Sequence, residues 1–195
     1  IYTKERKDLR ELDFITIDPT DAMDHDDAIW ASQDLEPTNI KGWNIKIAIA
    51  DVSYYVKERT LIDVEALKRS FSIYFPNKVI PMLPFNLSSN LCSLKTTTDR
   101  PAIVVDIKID SNGEILAYDF FPALVNISAN LNYEEFNEFL EKKKIAKKYK
   151  YLKKTILNLI ESYNSLKTTM LARHPLNITS QELKISIKND AIQKI

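Results

Sequence analysis

The chain has 195 residues, 45% of them hydrophobic, which is enough for a sizeable core in one body. Lysine plus arginine and aspartate plus glutamate both total 27, so the formal net charge is zero and the overall basic excess common in nucleic-acid binders is missing. Gly42 and Gly113 are the only glycines, which excludes a glycine-rich phosphate loop and any nucleotide cofactor held by one. No run of eighteen apolar residues occurs, and the opening IYTKERKDLR lacks the layout of a signal peptide, so a soluble protein without membrane contact is expected. Cys92 is the single cysteine; an internal disulfide is impossible, and a reducing, cytoplasmic setting is the simpler expectation. The chain opens on Ile1 and not Met, as expected of an excerpt from a longer protein.

In chain order, DFITID (13–18) and DDAIWAS (26–32) read as strands joined by the polar segment PTDAMDH, which puts the densest acidic cluster at strand ends. WNIKIAIADVSYYV (43–56) alternates, with Ile45, Ile47 and Ile49 on one side and Asn44, Lys46 and Ala48 on the other, as in a half-buried strand. In LIDVEALKRS (61–70), Leu61, Val64 and Leu67/Lys68 recur at helical spacing. Leu87, Leu91 and Leu94 suggest a short buried helix in which Cys92 packs as a small hydrophobe. IVVDIKID (103–110) alternates again, and Asn112-Gly113 before EILAYDFF is a hairpin signal, so antiparallel strands are predicted over 102–121. YEEFNEFLEKKK (133–144) reads as a helix. Tyr149, Leu152, Ile156, Leu159, Tyr163, Leu166 and Met170 then mark one long amphipathic helix near the C-terminus, packed on its own sheet and ended by Pro175. The lysine run at 142–154 reads as a solvated helix face. No repeat or linker divides the chain, so residues 1–195 are expected to form one α+β body: a mixed, largely antiparallel sheet flanked by helices, with a loosely held end over 174–195.

Asp18, Asp21, Asp24, Asp26 and Asp27 fall within TIDPTDAMDHDDAIW. Two carboxylates about 4 Å apart repel by on the order of 4 kcal/mol at an effective dielectric of about 20, and each added member multiplies the pairs. A solvated acidic loop is the bland interpretation of such a run, but strand-like flanks prevent these carboxylates from simply spreading into solvent. A bound divalent cation removes the repulsion. Oxygen-only ligands point to a hard ion, and Mg²⁺ takes one or two carboxylates while leaving room for water and substrate phosphate oxygens. An EF-hand is excluded because the segment holds no glycine and no closing glutamate. His25, between two aspartates, reads as an exposed spacer.

RKDLRELDFITIDPTDAMDHDDAIW resembles the opening signature of the ribonuclease II/ribonuclease R family, with its own spacing of six, two and one between Asp18, Asp24, Asp26 and Asp27. IADVSYYV (49–56) is similar to the next family block, and IDVEALKRSFSIYFPNKVIPMLPFNLSSNLCSL (62–94) to the third and longest. Tyr54 stands where the family commonly has histidine, so no role is carried onto that side chain. The resemblance fades beyond about residue 110, with LNYEEF and QELKISI as weaker echoes.

The resemblance implies the N-terminal portion of a catalytic RNB domain, with Asp18 and Asp27 holding a catalytic Mg²⁺ that Mn²⁺ can replace. It implies that Asp24 supports the same site and shares in catalysis, that Asp26 is essential for cleavage, and that Tyr74 packs against the last nucleotides of a single-stranded RNA 3′ end. Asp21 matches no required position and reads as solvated. The implied activity is hydrolytic 3′-to-5′ exoribonuclease action releasing 5′-mononucleotides, with the excerpt alone inactive because a second half of the catalytic domain, bearing an arginine-rich block, lies elsewhere. The rival expectation is a non-catalytic RNA-binding or scaffold protein built on a degenerate domain of this family, and the four retained carboxylates argue for the enzyme.

Overall fold

The structure is a computed structural model that describes residues 5–75, 78–142, 145–176, 186–188 and 191–194. Its strands and helices follow in the order β1 (Lys7–Asp8), β2 (Phe14–Asp18), β3 (Asp27–Gln33), β4 (Trp43–Ala50), α1 (Val52–Tyr55), α2 (Leu61–Arg69), β5 (Ile73–Phe75), β6 (Lys78–Ile80), β7 (Asp99–Ile109), β8 (Ile115–Asn132), α3 (Tyr133–Lys142), α4 (Lys153–Ala172), β9 (Ser186–Lys188) and β10 (Ala191–Lys194). Six strands make the main sheet in the order β1-β8-β2-β3-β4-β7. Only β1 and β2 run parallel to their neighbour β8, so the sheet is mixed and largely antiparallel, as expected.

Strand β8 does what the sequence did not disclose. Its 18 residues pair first with β7 and then with β2, which closes the sheet into a ring. Every second residue from Phe121 to Leu131 is buried. The pairing jumps from Phe14–Ile127 to Ile15–Ala129, and at that bulge the buried residues of β8 pass from the inner cluster to the outer one. The inner cluster contains Phe14, Ala28, Ala48, Ala102, Val104 and Val125, where small alanines let the closed walls approach. The outer cluster packs Ile15, Ala31, Ile45 and Leu131 against Phe139 of α3 and Ile156 and Leu159 of α4.

Closure corrects the reading of 43–56 as a half-buried strand. Ile45 and Ile47 share the cluster under the helices, but Ile49 of the same side is 42% exposed and Ala48 of the other side is fully buried inside the ring. The strand also stops at Ala50, because the Asp51 side chain accepts the Tyr54 N–H and caps α1. In α2, Thr60 caps the start, yet Leu61 and Leu67 are exposed and only Ala66 is buried, so the helix exists without the predicted apolar contact face. Near Cys92 the predicted short helix is a single π-helical turn, Leu87–Leu91, and Cys92 is buried beside it.

The Asn112-Gly113 turn joins β7 to β8, with Gly113 at φ +91°. A Cβ on Gly113 would lie 2.3 Å from the Ser165 carbonyl oxygen, so glycine also permits α4 to dock against the turn. The long helix is shorter than its apolar stripe: Lys147–Leu152 is a 3₁₀ helix that buries Tyr149 and Leu152, and the α-helix begins at Lys153. Its first half is covered, while Tyr163, Leu166 and Met170 remain partly exposed. Thus the lysine run is only in part a helix face, and Lys148 pairs with Glu135 at 2.6 Å. Among the described residues no helix is long and apolar enough to cross a membrane. The expectation of a loosely held end at 174–195 falls largely outside the described residues, although β9 and β10 pair antiparallel within it.

Candidate active site

Asp18 is the last residue of β2 and Asp27 the first of β3, so the ring fixes both ends of the acidic loop. The loop between them is held by its backbone. The Ala50 N–H donates to the Asp26 carbonyl at 2.8 Å, and the Leu94 N–H donates to the His25 carbonyl at 2.7 Å. Ser93, fully buried, accepts the His25 N–H and donates its hydroxyl to the Met23 carbonyl, each at 3.0 Å. With Met23, His25 and Asp26 anchored through main-chain atoms, the side chains of Asp24 and Asp26 stand exposed.

Asp18, Asp21, Asp24 and Asp26 line one cleft of about 620 Å³, together with Tyr74 from β5. Asp27 is not in the lining. Burial of its carboxyl, then the negative charges of Asp26 and Asp18, push it above the usual carboxylate range, which places those three groups in one electrostatic neighbourhood. Among the described residues no lysine or arginine lines the cleft. The side chains that answer these carboxylates are His25, at Asp18, and Tyr74, at Asp24.

The short hairpin of β5 and β6 carries Tyr74 to the mouth of the cleft, where the residue is 67% exposed. Its hydroxyl donates to Asp24 Oδ2 at 3.4 Å. The Asp24 charge, followed by burial, pushes the phenol up from its ordinary value. Exposure argues against the reading of Tyr74 as a core aromatic. Its neighbours Phe71, Ile73 and Phe75 are also exposed, at 65%, 41% and 49%, so no aromatic of this hairpin belongs to the core. Cys92 also borders the cleft, but burial pushes its thiol up, the opposite of what a nucleophile needs.

Sequence reasoning missed two residues. His25 is no exposed spacer: its side chain is 12% exposed and its Nδ1 lies 2.7 Å from Asp18 Oδ2. Ser93 gave no signal, because a serine inside LCSL carries no periodicity that separates an anchor from packing.

The donor set suits a hard cation. Its groups are chiefly carboxylate oxygens, and Nδ1 of the one imidazole is already engaged with Asp18. Among the described residues no group of three or more His, Cys, Asp or Glu could hold a metal ion by itself. A hard cation here would need water and substrate oxygens to complete its shell.

A closed mixed sheet with aspartates at the ends of two adjacent strands and an aromatic at the cleft mouth defines the class, and residues 6–195 match the RNB domain; the chain belongs to that family. It is 40% identical over 181 residues to Ribonuclease R of Thermotoga maritima, covering 92% of this chain and 25% of that protein. Mycoplasma genitalium RNase R in complex with ribose-methylated single-stranded RNA superposes with a TM-score of 0.87 at 29% identity, covering 96% of this chain and 29% of that one. The same protein in complex with double-stranded RNA gives 0.88 at 29% identity, covering 96% and 33%. The family named by the sequence motifs is thus the one found, and the chain spans between 21% and 26% of the length of its curated relatives.

Proposed function

We propose that this chain is the acid-bearing part of a hydrolytic 3′-to-5′ exoribonuclease that releases 5′-mononucleotides from single-stranded RNA in RNA turnover or processing, with Mg²⁺ or Mn²⁺ as cofactor. The observation that carries this reading is the convergence of Asp18, Asp24, Asp26 and Tyr74 on one cleft in a relative of ribonucleases R. Asp18 and Asp27 are the residues that would hold the ion, with Asp24 supporting the same site. When bound, it would polarise the phosphate, activate a water molecule and offset charge on the leaving oxygen. Asp26, whose carbonyl accepts the Ala50 N–H and whose residue lines the cleft, would accept a hydrogen bond from the attacking water. Tyr74 offers an exposed ring to the terminal base. Stacking of this kind is worth roughly 1–3 kcal/mol per base and tolerates any sequence.

Charge balance at the transition state also needs a cationic side chain, and none lines this cleft among the described residues. Removing one electrostatic contributor commonly costs ~10²–10³ in rate, so the 195 residues alone should not degrade RNA usefully. The test is a gel assay with labelled single-stranded RNA and Mg²⁺. The complete enzyme should release mononucleotides; its Asp26→Asn variant should bind RNA without cutting it, and Tyr74→Ala should change the length of the final undegraded product. Cleavage by Asp26→Asn at the parent rate would overturn the assignment.

A further inference from the structure

We infer that His25 is a positioning residue for the candidate cation site: it donates Nδ1–H to Asp18 Oδ2 and fixes how that carboxylate faces the cleft. The inference rests on the cation reading above and deepens it.

Three observations meet at this side chain. The first is the contact itself. Nδ1 lies 2.7 Å from Asp18 Oδ2, with the two side chains 12% and 14% exposed. A carboxylate only accepts hydrogen bonds, so the ring nitrogen must be the donor. The second is that the ring is aimed by a fixed backbone. The His25 N–H donates to Ser93 Oγ at 3.0 Å and its carbonyl accepts the Leu94 N–H at 2.7 Å, so residue 25 is pinned on both sides of its Cα. The third is the floor beneath the ring. Thr16 Oγ1 lies 3.5 Å from the same Nδ1 and accepts from Asn130 Nδ2 at 2.9 Å. Asn130 in turn donates to the Leu94 carbonyl at 2.9 Å, which closes the network between β2, β8 and the segment after the π-helical turn.

Nδ1, which donates its hydrogen to Asp18, has no lone pair for an ion, so this nitrogen acts on the site through Asp18. With Oδ2 engaged by the imidazole, Oδ1 is the oxygen left for the ion. A carboxylate free to rotate loses orientational freedom when it coordinates; one already clamped does not. Partners of ligating groups typically matter by 10–100-fold in metal affinity, and about tenfold is expected here.

The test uses the whole 195-residue chain and reads binding, not cleavage. Mn²⁺ is titrated calorimetrically into the parent, His25→Phe and His25→Asn. Asparagine places Nδ2 close to where the imidazole carries Nδ1, so it restores the donor without the ring. Phenylalanine should weaken Mn²⁺ roughly tenfold, and asparagine should return close to the parent value. Equal binding by parent and His25→Phe overturns the inference, as does failure of asparagine to rescue. A second readout covers a variant that does not fold. In the metal-free parent, imidazole-selective ¹H–¹⁵N spectra should show a protected Nδ1–H that is lost in Asp18→Ala; its absence from the parent overturns the contact. If the parent binds no Mn²⁺ while this signal is present, the cation reading fails and the His25–Asp18 clamp stands.

Discussion

The two ends of strand β3 carry aspartates with opposite fates. At the far end, just past Gln33, the Asp34 side chain is 3% exposed and fully answered. It accepts from Asn39 Nδ2 at 2.8 Å, from Asn44 Nδ2 at 3.3 Å and from the Glu36 N–H at 3.3 Å, with Lys108 Nζ 3.6 Å away. Burial alone would push this carboxyl up, but those donors and the lysine hold it below the usual range. At the near end, burial and the charges of Asp26 and Asp18 push Asp27 up, and no lysine or arginine answers them from the cleft lining among the described residues. One end uses a carboxylate to build a loop; the other gathers several carboxylates answered by His25 at Asp18 and by Tyr74 at Asp24. Sites held ready for a ligand are where a fold tolerates such electrostatic strain.

The comparison breaks most visibly at Asp34. Asp34→Ala removes one of the two acceptors of Asn39 Nδ2, leaving the Ile109 carbonyl at 3.0 Å, and does so at a residue that is 6% exposed, in a loop tight enough that a Cβ on Gly42 would lie 2.1 Å from Asn39 Nδ2. Losing a partner of a buried polar group costs about 1–3 kcal/mol, so thermal melting should show a drop of several degrees at pH 7. Because its pKa is lowered on folding, the Asp34 contribution is present above the ordinary carboxylate value of 3.8 and fades as pH falls through the lowered one. A melting temperature unchanged at pH 7 would contradict this account.

Asp27 should behave with the opposite sign and a smaller amplitude. Its pKa is raised on folding, so its favourable contribution exists below 3.8 and is lost as pH rises through the raised value. At pH 7 without divalent ions the ionised group therefore costs stability, and Asp27→Asn should melt at a higher temperature than the parent. The gain should shrink as the buffer is acidified towards pH 4. Lower stability of Asp27→Asn at neutral pH would show that Asp27 is already compensated within the chain.

Local pattern made much of this molecule legible. β2 and β3 read as strand segments on either side of a polar loop, β4 follows from alternation, the β7–β8 hairpin from Asn112-Gly113, and α3 and α4 from helical spacing. Ring closure was not legible, because β2 meets β8 across more than a hundred residues and no local signal encodes so distant a pairing. The acidic loop could be read because its chemistry is concentrated in one segment. His25 and Ser93 could not, since each takes its role from a partner in space: His25 from Asp18 across the turn, Ser93 from a loop some seventy residues earlier. Tyr74 was placed by family resemblance alone, and the structure adds its contact with Asp24.

The central claim is that the near end of β3 keeps its charge for a divalent cation, and calorimetric titration of Mn²⁺ into the chain tests it most directly. The parent should bind with measurable heat, weakly because substrate phosphates normally supply part of the coordination, while Asp18→Asn and Asp27→Asn should each reduce or abolish that heat. Equal Mn²⁺ binding by the parent and both variants would contradict the account.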